Sequence, residues 1–244
     1  MKAFILAAGL GTRLKPLTDN KPKALVEVNG VTLLEHLIVK LKKFEVTEII
    51  VNIHHYAEQV KEFLMKKNNF NIRIEISDES EQLLDTGGGL KKAAWFFDDN
   101  KPFLVHNVDV LSNIDLNLLY QSHVQSGSLA MLAVKDRNTS RYLLFNENNE
   151  LCGWENSSTG KILYHSNNTQ QLTALAFSGV QVVSPQIFDL ISETGKFSLT
   201  DLYIRLSSNN KIAAFRHDKD FWLDLGKPES IKAAETYVNK NKEL

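Results

Sequence analysis

Leu6-Ala7-Ala8-Gly9-Leu10-Gly11-Thr12-Arg13 leaves an apolar strand and enters a glycine-bearing loop, with the cations Lys15, Lys21 and Lys23 close behind. Glycines here allow backbone N–H groups to approach a phosphate that side chains would hold away. The arginine fork suits a polyphosphate, and lysine acts as a compact charge for one phosphoryl group. Pro16 and Pro22 interrupt any continuous helix through the basic stretch. Two widespread glycine motifs do not fit. Leu14 occupies the place of the third glycine of the dinucleotide fingerprint, residues 28–30 lack its acid, and no Gly-Lys-Ser/Thr follows at P-loop spacing. The competing reading is a solvated basic loop, since surface lysines are common.

Two aspartates offer a second chemistry. Asp109 comes just after the apolar run 103–105, and Asp224 ends the run 221–223, which places both at the edge of a sheet where the glycine loop also emerges. Mg²⁺ is held by one or two carboxylates when phosphate oxygens and waters complete its shell, so two converging aspartates suffice. A turn-forming Asp after each strand is the alternative. His54 and His55 are adjacent, so a regular strand points them to opposite faces and they are expected to make ordinary hydrogen bonds at a strand end. Ser178 lacks the Gly-x-Ser-x-Gly elbow of a nucleophilic serine. Thr86-Gly87-Gly88-Gly89 precedes a helix over 90–95, and three glycines make a flexible surface turn the bland alternative for it.

The elements that position these residues alternate. Apolar runs at 3–7, 48–53, 72–76 and 102–105 read as strands, three of them continuous enough to be buried on both faces. Helices are predicted over 31–41, where Thr32 and Glu35 have capping-box spacing, and over 57–67 and 115–125. Strand and helix in alternation imply crossovers and a mainly parallel sheet covered on both sides. After about residue 128 the texture becomes antiparallel, with strands at 129–134, 141–145, 172–177 and 180–183. A hairpin turn is expected at 146–149 and polar loops at 156–160 and 167–171. Ser184-Pro185 predicts a capped helix over 186–192; a last strand at 220–225 and a terminal helix over 228–239 follow.

The 244 residues are 43% hydrophobic and 9% aromatic, which fits a globular chain of one large domain, or one with a small lobe. Lys plus Arg number 28 against 29 Asp plus Glu, a formal charge of −1 without the one-sign field expected of a nucleic-acid or membrane-surface binder. The single Cys152 excludes an internal disulfide and a thiolate-rich zinc site. No apolar stretch approaches the roughly 18 residues of a membrane span, and the N-terminus does not read as a signal peptide, so a cytoplasmic location is expected.

The segment from Leu6 through Thr18, continued by Lys21-Pro22-Lys23-Ala24-Leu25, resembles the signature of sugar-1-phosphate nucleotidyltransferases. Later landmarks extend the likeness: Thr86-Gly87-Gly88-Gly89, Asn107 to Asp109, Phe177-Ser178-Gly179 and Trp222-Leu223-Asp224. Length and the Thr-Gly-Gly-Gly segment are most similar to the N-acetylmuramate-1-phosphate uridylyltransferase branch. The resemblance implies an α/β fold: a Rossmann-like, doubly wound mixed sheet with a small antiparallel sugar-side lobe. It makes 1–244 one domain, with 1–127 the nucleotide-binding half and 128–244 the sugar-binding half.

It further implies transfer from a nucleoside triphosphate, UTP in that branch, to a sugar 1-phosphate, with pyrophosphate released and Mg²⁺ as cofactor. Arg13 and Lys23 take the catalytic charges, and Asp109 and Asp224 the metal. Leu6, Ala7, Ala8, Gly9, Gly11, Thr12, Thr86, Gly87 and Gly88 lie against the nucleotide, and Gln82 or Glu81 reads the base. Asn107 and Gly179 match sugar-phosphate contacts, and Glu155 is placed to bond sugar hydroxyls. Two departures bear on the acceptor: Val108 replaces a usual glycine, and Trp154-Glu155-Asn156 lacks the lysine of the common Glu-Lys-Pro. Guanylyl transfer to mannose 1-phosphate, cytidylyl transfer to phosphocholine, a non-catalytic nucleotide-binding module and a glycosyltransferase are the alternatives. The oligomeric state, monomer or homo-oligomer, is open.

Overall fold

The computed structural model describes residues 1–164 and 171–240. The chain opens with β1 (Lys2–Leu6), the short ribbon of β2 (Glu27–Val28) and β3 (Val31–Thr32), α1 (Leu33–Lys43), β4 (Glu48–Ile53) and α2 (Ala57–Lys66). Next come β5 (Arg73–Asp78), α3 (Asp85–Lys92), β6 (Phe103–Asn107), β7 (Val110–Ser112) and α4 (Leu116–Ser126). Then follow β8 (Ala130–Lys135), β9 (Arg141–Phe145), β10 (Leu151–Asn156), β11 (Lys161–Tyr164) and β12 (Thr173–Val183). The chain closes with α5 (Ile187–Leu190), α6 (Leu199–Leu206), β13 (Ile212–Arg216), β14 (Trp222–Asp224) and α7 (Pro228–Lys240).

Strands β6, β1, β4 and β5 pair in parallel, in that order. Successive residues of each strand point to opposite faces, and both faces are apolar. Ala3, Ile5, Ile49, Val51 and Leu104 enter one core with α1, α2, α4 and α7. Phe4, Ile50, Phe103 and Val105 enter the other with α3, α5 and α6. Helices on both faces make the sheet doubly wound, as the alternation implies. Burial of each such Leu, Ile or Phe stabilises the fold by about 1.5–3 kcal/mol relative to exposure.

Beyond β6 the sheet turns antiparallel. β12 pairs with β6 through Val180 to Val183 and with β9 through Thr173 to Leu175. β9, β10 and β11 then extend the same sheet, while β8 pairs with β12 on one side and with β13 on the other. The antiparallel strands thus continue the central sheet instead of standing apart from it.

Several local expectations change. The strands anticipated at 172–177 and 180–183 are one strand, because Gly179 at φ 74 carries the chain through a bulge, and pairing with β8 skips from Phe177 to Gln181. Thr32 Oγ1 accepts the Glu35 N–H at 3.2 Å, but the Glu35 carboxylate pairs with Lys67, so only half of the capping box forms. Ser184 does not cap a helix: its hydroxyl meets His123 Nε2 at 2.8 Å and donates to the Ser128 carbonyl, leaving α5 a single turn. The glycine triplet is inside α3 and buried. β7, β10, β11, β13 and α6 carry no expectation from the sequence, and residues 167–170 of the anticipated polar loop lie outside the described residues.

Candidate active site

Where β1 ends, the chain turns through Gly9 and Gly11 into a single 3₁₀ turn at Thr12–Leu14. Gly11 sits at φ 64, and an added Cβ would lie 3.0 Å from Thr18 Cγ2, whose own hydroxyl donates to the Gly11 carbonyl at 2.9 Å. Glycine is required there on both counts. The N–H groups of Ala7 and Ala8 are taken by Asn52 Oδ1, at 2.7 and 3.2 Å. Those of Gly9 to Thr12 have no partner among the described residues. They face a cavity of about 410 Å³ bounded by Leu6, residues 8–13, Lys23 and Asp109.

Asn52 is itself held. Its Nδ2 donates to Glu79 Oε1 at 2.8 Å, and Glu79 Oε2 accepts the Leu84 N–H at 3.0 Å just ahead of α3. Both side chains are buried. This relay ties the glycine loop to the start of α3, and a fully satisfied buried network of this kind fixes geometry more than it adds stability. Sequence reasoning missed it; the signal available was a polar residue inside Ile49-Ile50-Val51-Asn52-Ile53.

Two cation–carboxylate pairs stand across the cavity. Lys23 Nζ bonds Asp109 Oδ2, with the two side chains only 12% and 16% exposed. Arg13 Nη2 lies 3.9 Å from Asp224 Oδ2. The acids come together because β7 and β14 pair, Asp224 opposite Val110, while the Leu225 N–H donates to the Asp109 carbonyl at 2.8 Å. Gly226 lies beneath the second pair, where a Cβ would be 2.6 Å from Arg13 Nη2 and 2.8 Å from Asp224 Oδ1. Val108, buried with its N–H donated to the Leu6 carbonyl, forms part of the cavity wall, and so does Lys196, which the sequence did not single out.

A second cavity of about 450 Å³ shares Leu6, Asp85, Thr86 and Asn107 with the first. Trp154, Phe177, Leu132 and Leu143 give it apolar walls, and Arg141, Ser198 and Asp201 polar ones. Two of its lining side chains are nearly sealed yet unmatched: Gln181 Oε1 and the Tyr203 hydroxyl have no hydrogen-bond partner among the described residues, at 2% and 3% exposure.

The remaining anticipated residues fall as follows. Thr86 lines both cavities; Gly87 and Gly88 line neither, being packed in α3 where added Cβ atoms would lie 2.4 Å from the Phe197 ring and from the Gly195 carbonyl oxygen. The surface-turn alternative thus gives way to close helix packing. Gln82 is exposed outside the cavity lining, with Leu83 and Asp85 there instead. Asn107 lines both cavities, and Gly179 is packed under its amide. Glu155 neighbours Trp154 on β10, and alternation turns it to the other face of the sheet.

Neither histidine of the 54–55 pair is part of this arrangement; His54 Nδ1 meets the Glu79 carbonyl at 2.7 Å, the ordinary bond expected. Ser178 Oγ is 2.7 Å from His217 Nε2, a contact reminiscent of a serine nucleophile. Ser178 is fully buried and His217 Nδ1 is 3.9 Å from Asp220, too far for a hydrogen bond. Burial lowers the His217 pKa to about 4, so the ring is neutral and serves packing.

A family model described as nucleotidyl transferase matches residues 2–241. The chain is 31% identical over 242 residues to N-acetylmuramate alpha-1-phosphate uridylyltransferase of Caulobacter vibrioides, covering 96% of this chain and 95% of that one. It is 27% identical to the mannose-1-phosphate guanylyltransferase catalytic subunit beta of Dictyostelium discoideum, covering 99% of this chain and 66% of that one. The crystal structure of HddC from Yersinia pseudotuberculosis complexed with GMP-PN superposes with a TM-score of 0.76 at 23% identity, covering 97% of this chain and 99% of that one, a likeness of fold.

Proposed function

Because the chain belongs to the nucleotidyl transferase family, in its sugar-1-phosphate branch, we propose that it transfers a uridylyl group from UTP to a sugar 1-phosphate and releases pyrophosphate. The observation that carries this reading is the junction of the two cavities. One is lined by the glycine loop, Lys23, Asp109 and Arg13, and it shares Asn107 with one that has aromatic walls and unmatched polar atoms. The choice of uridine rests on the Caulobacter relative, and guanosine, from the Dictyostelium relative, is the second reading.

An oxygen of the acceptor phosphate attacks the α-phosphorus in line, the bond to the bridging oxygen of pyrophosphate breaks, and the leaving group carries away the electron pair. The attacking oxygen is already anionic, so no general base is needed; positioning and charge neutralisation carry the catalysis. The N–H groups of Gly9 to Thr12 and the Arg13 guanidinium hold the triphosphate tail, and Lys23 faces the α-phosphate. Leu83, Asp85 and Thr86 border the base, and Gln181 and Tyr203 meet polar substituents of the sugar.

The donor set fits Mg²⁺. Asp109 lines the first cavity and Asp224 is paired with Arg13 at its edge, both hard oxygen donors; among the described residues no group of three or more His, Cys, Asp or Glu side chains assembles, so phosphate oxygens would complete the shell. Bound there, the ion supplies charge neutralisation on the phosphates. Asp109 and Asp224 would hold the ion, and Lys23 and Arg13 would then be available for phosphate oxygens.

The test is pyrophosphate release from each nucleoside triphosphate with a panel of sugar 1-phosphates and Mg²⁺. Turnover with UTP is expected to exceed that with GTP. Lys23→Ala and Asp224→Asn should each lower kcat about 100-fold or more. Release from no pair, or either variant within threefold of the parent, contradicts the reading.

A further inference from the structure

Two cations of the first cavity face a carboxylate, Lys23 against Asp109 and Arg13 near Asp224. Arg137, at the start of the loop that leaves β8 and outside the lining of that cavity, does not. No carboxylate comes within ion-pairing distance of it among the described residues, and the acid whose field reaches it is Asp224. Its guanidinium lies over the Trp222 ring at 4.1 Å from the ring centroid, and Nη2 donates to the Phe177 carbonyl at 2.8 Å. Nε is sealed and has no partner.

A half-buried guanidinium stays charged, because burial lowers its pKa from a value far above neutrality. Leaving that charge uncompensated opposes folding, and an anion supplied from outside removes the penalty. The mounting is rigid. Trp222 Nε1 donates to the Ser178 carbonyl at 2.8 Å, and Ser178 is in turn bonded to His217. Trp222 and Asp224 are two apart on β14, so both side chains project from one face, which brings the stacked guanidinium to the Asp224 side. Phe177, whose carbonyl it grips, lines the second cavity and not the first. Arg137 itself lines neither cavity; Trp222 and the Phe177 carbonyl mount it behind the wall of the second one, within the field of Asp224.

We propose that Arg137 binds the phosphate monoester of the acceptor, holding it beside Asp224 for attack; this rests on the reading of the two cavities given above. A dianionic monoester is the ligand class that a forked, stacked cation recognises. The triphosphate tail is already met by Arg13, Lys23 and the loop N–H groups.

Steady-state kinetics of Arg137→Gln and Arg137→Lys test it, with thermal unfolding as the control for folding. Arg137→Gln should raise KM for the sugar 1-phosphate at least tenfold while KM for the nucleotide moves less than threefold, and Arg137→Lys should fall between. Calorimetric binding of inorganic phosphate to the protein without nucleotide should weaken at least fivefold in Arg137→Gln, a readout independent of turnover. Parallel changes in both KM values, or unchanged phosphate binding, overturn the assignment. A parent protein that binds phosphate through Arg137 yet releases no pyrophosphate from any pair would instead refute the transfer reaction.

Discussion

Gln181 is placed where a polar side chain harms the fold unless a ligand completes it, and replacing it by Met should separate stability from activity. The residue is central in the sheet, aligned with Val105 on β6 and Leu132 on β8, with its amide oxygen sealed and unbonded. A buried polar group without a partner costs about 1–3 kcal/mol. Met has a similar length and volume and no such debt, so Gln181→Met should stabilise the protein by about that amount. For a chain of this size, about 2–4 °C of Tm accompanies each kcal/mol, which gives a rise of roughly 2–12 °C by calorimetry. The same change removes a partner for the acceptor sugar, so kcat/KM for the sugar 1-phosphate should fall at least tenfold with KM for the nucleotide steady. Saturating acceptor should raise the Tm of the parent more than that of the variant. A lowered Tm, or unaltered use of the acceptor, would refute the claim that this amide is an unpaired group awaiting substrate.

Asn52→Leu strands the Ala7 and Ala8 N–H groups and leaves Glu79 buried without its donor, so a loss of about 2–5 kcal/mol is expected in urea unfolding. Adding Glu79→Leu should recover part of it, and a fully additive double variant would argue against a coupled relay. Gly179→Ala forces a Cβ to 2.8 Å from Asn107 Nδ2 at a φ of 74; a cost of about 1–3 kcal/mol in Tm measurements and reduced turnover are expected, and a neutral result would refute the tight fit. Burial lowers the pKa of His106 to about 3 and of His123 and His217 to about 4, from 6.5. Above pH 6.5 the rings are neutral in both states. Below it the unfolded chain takes up protons that the folded one resists. Stability should therefore decline by up to about 1.4 kcal/mol per pH unit for each histidine, levelling at the folded pKa values. Unfolding free energies that stay flat from pH 7.5 to 5 would contradict this.

The parallel strands were legible because two-sided burial writes itself as continuous apolar runs, as at 48–53, and strand ends located the glycine loop, Asp109 and Asp224 together. β7, with three residues, and β13, Ile212-Ala213-Ala214-Phe215-Arg216, are too short or too mixed to show a period. The burial of the glycine triplet was not legible since its packing partner, Phe197, comes from a distant part of the chain. Asn52, Gln181, Arg137 and Lys196 look like ordinary polar residues in a linear string; burial, or the lack of a partner, is what marks them, and both are properties of the assembled fold. Glu155 was chosen for its type, whereas alternation along β10 decides which way it faces.

β12 carries the ladder to β6 at one end, to β9 at the other and to β8 from Ala176 through Val183, so the hydrogen bonds of both halves run through a single stretch of backbone. Nothing melts on one side without unzipping the other, and a calorimetric trace should contain one endotherm. A gene severed at codon 127 would release an amino-terminal fragment whose Phe103-Leu104-Val105 border is bare and adhesive. Truncation and domain-grafting schemes should therefore treat the chain as indivisible.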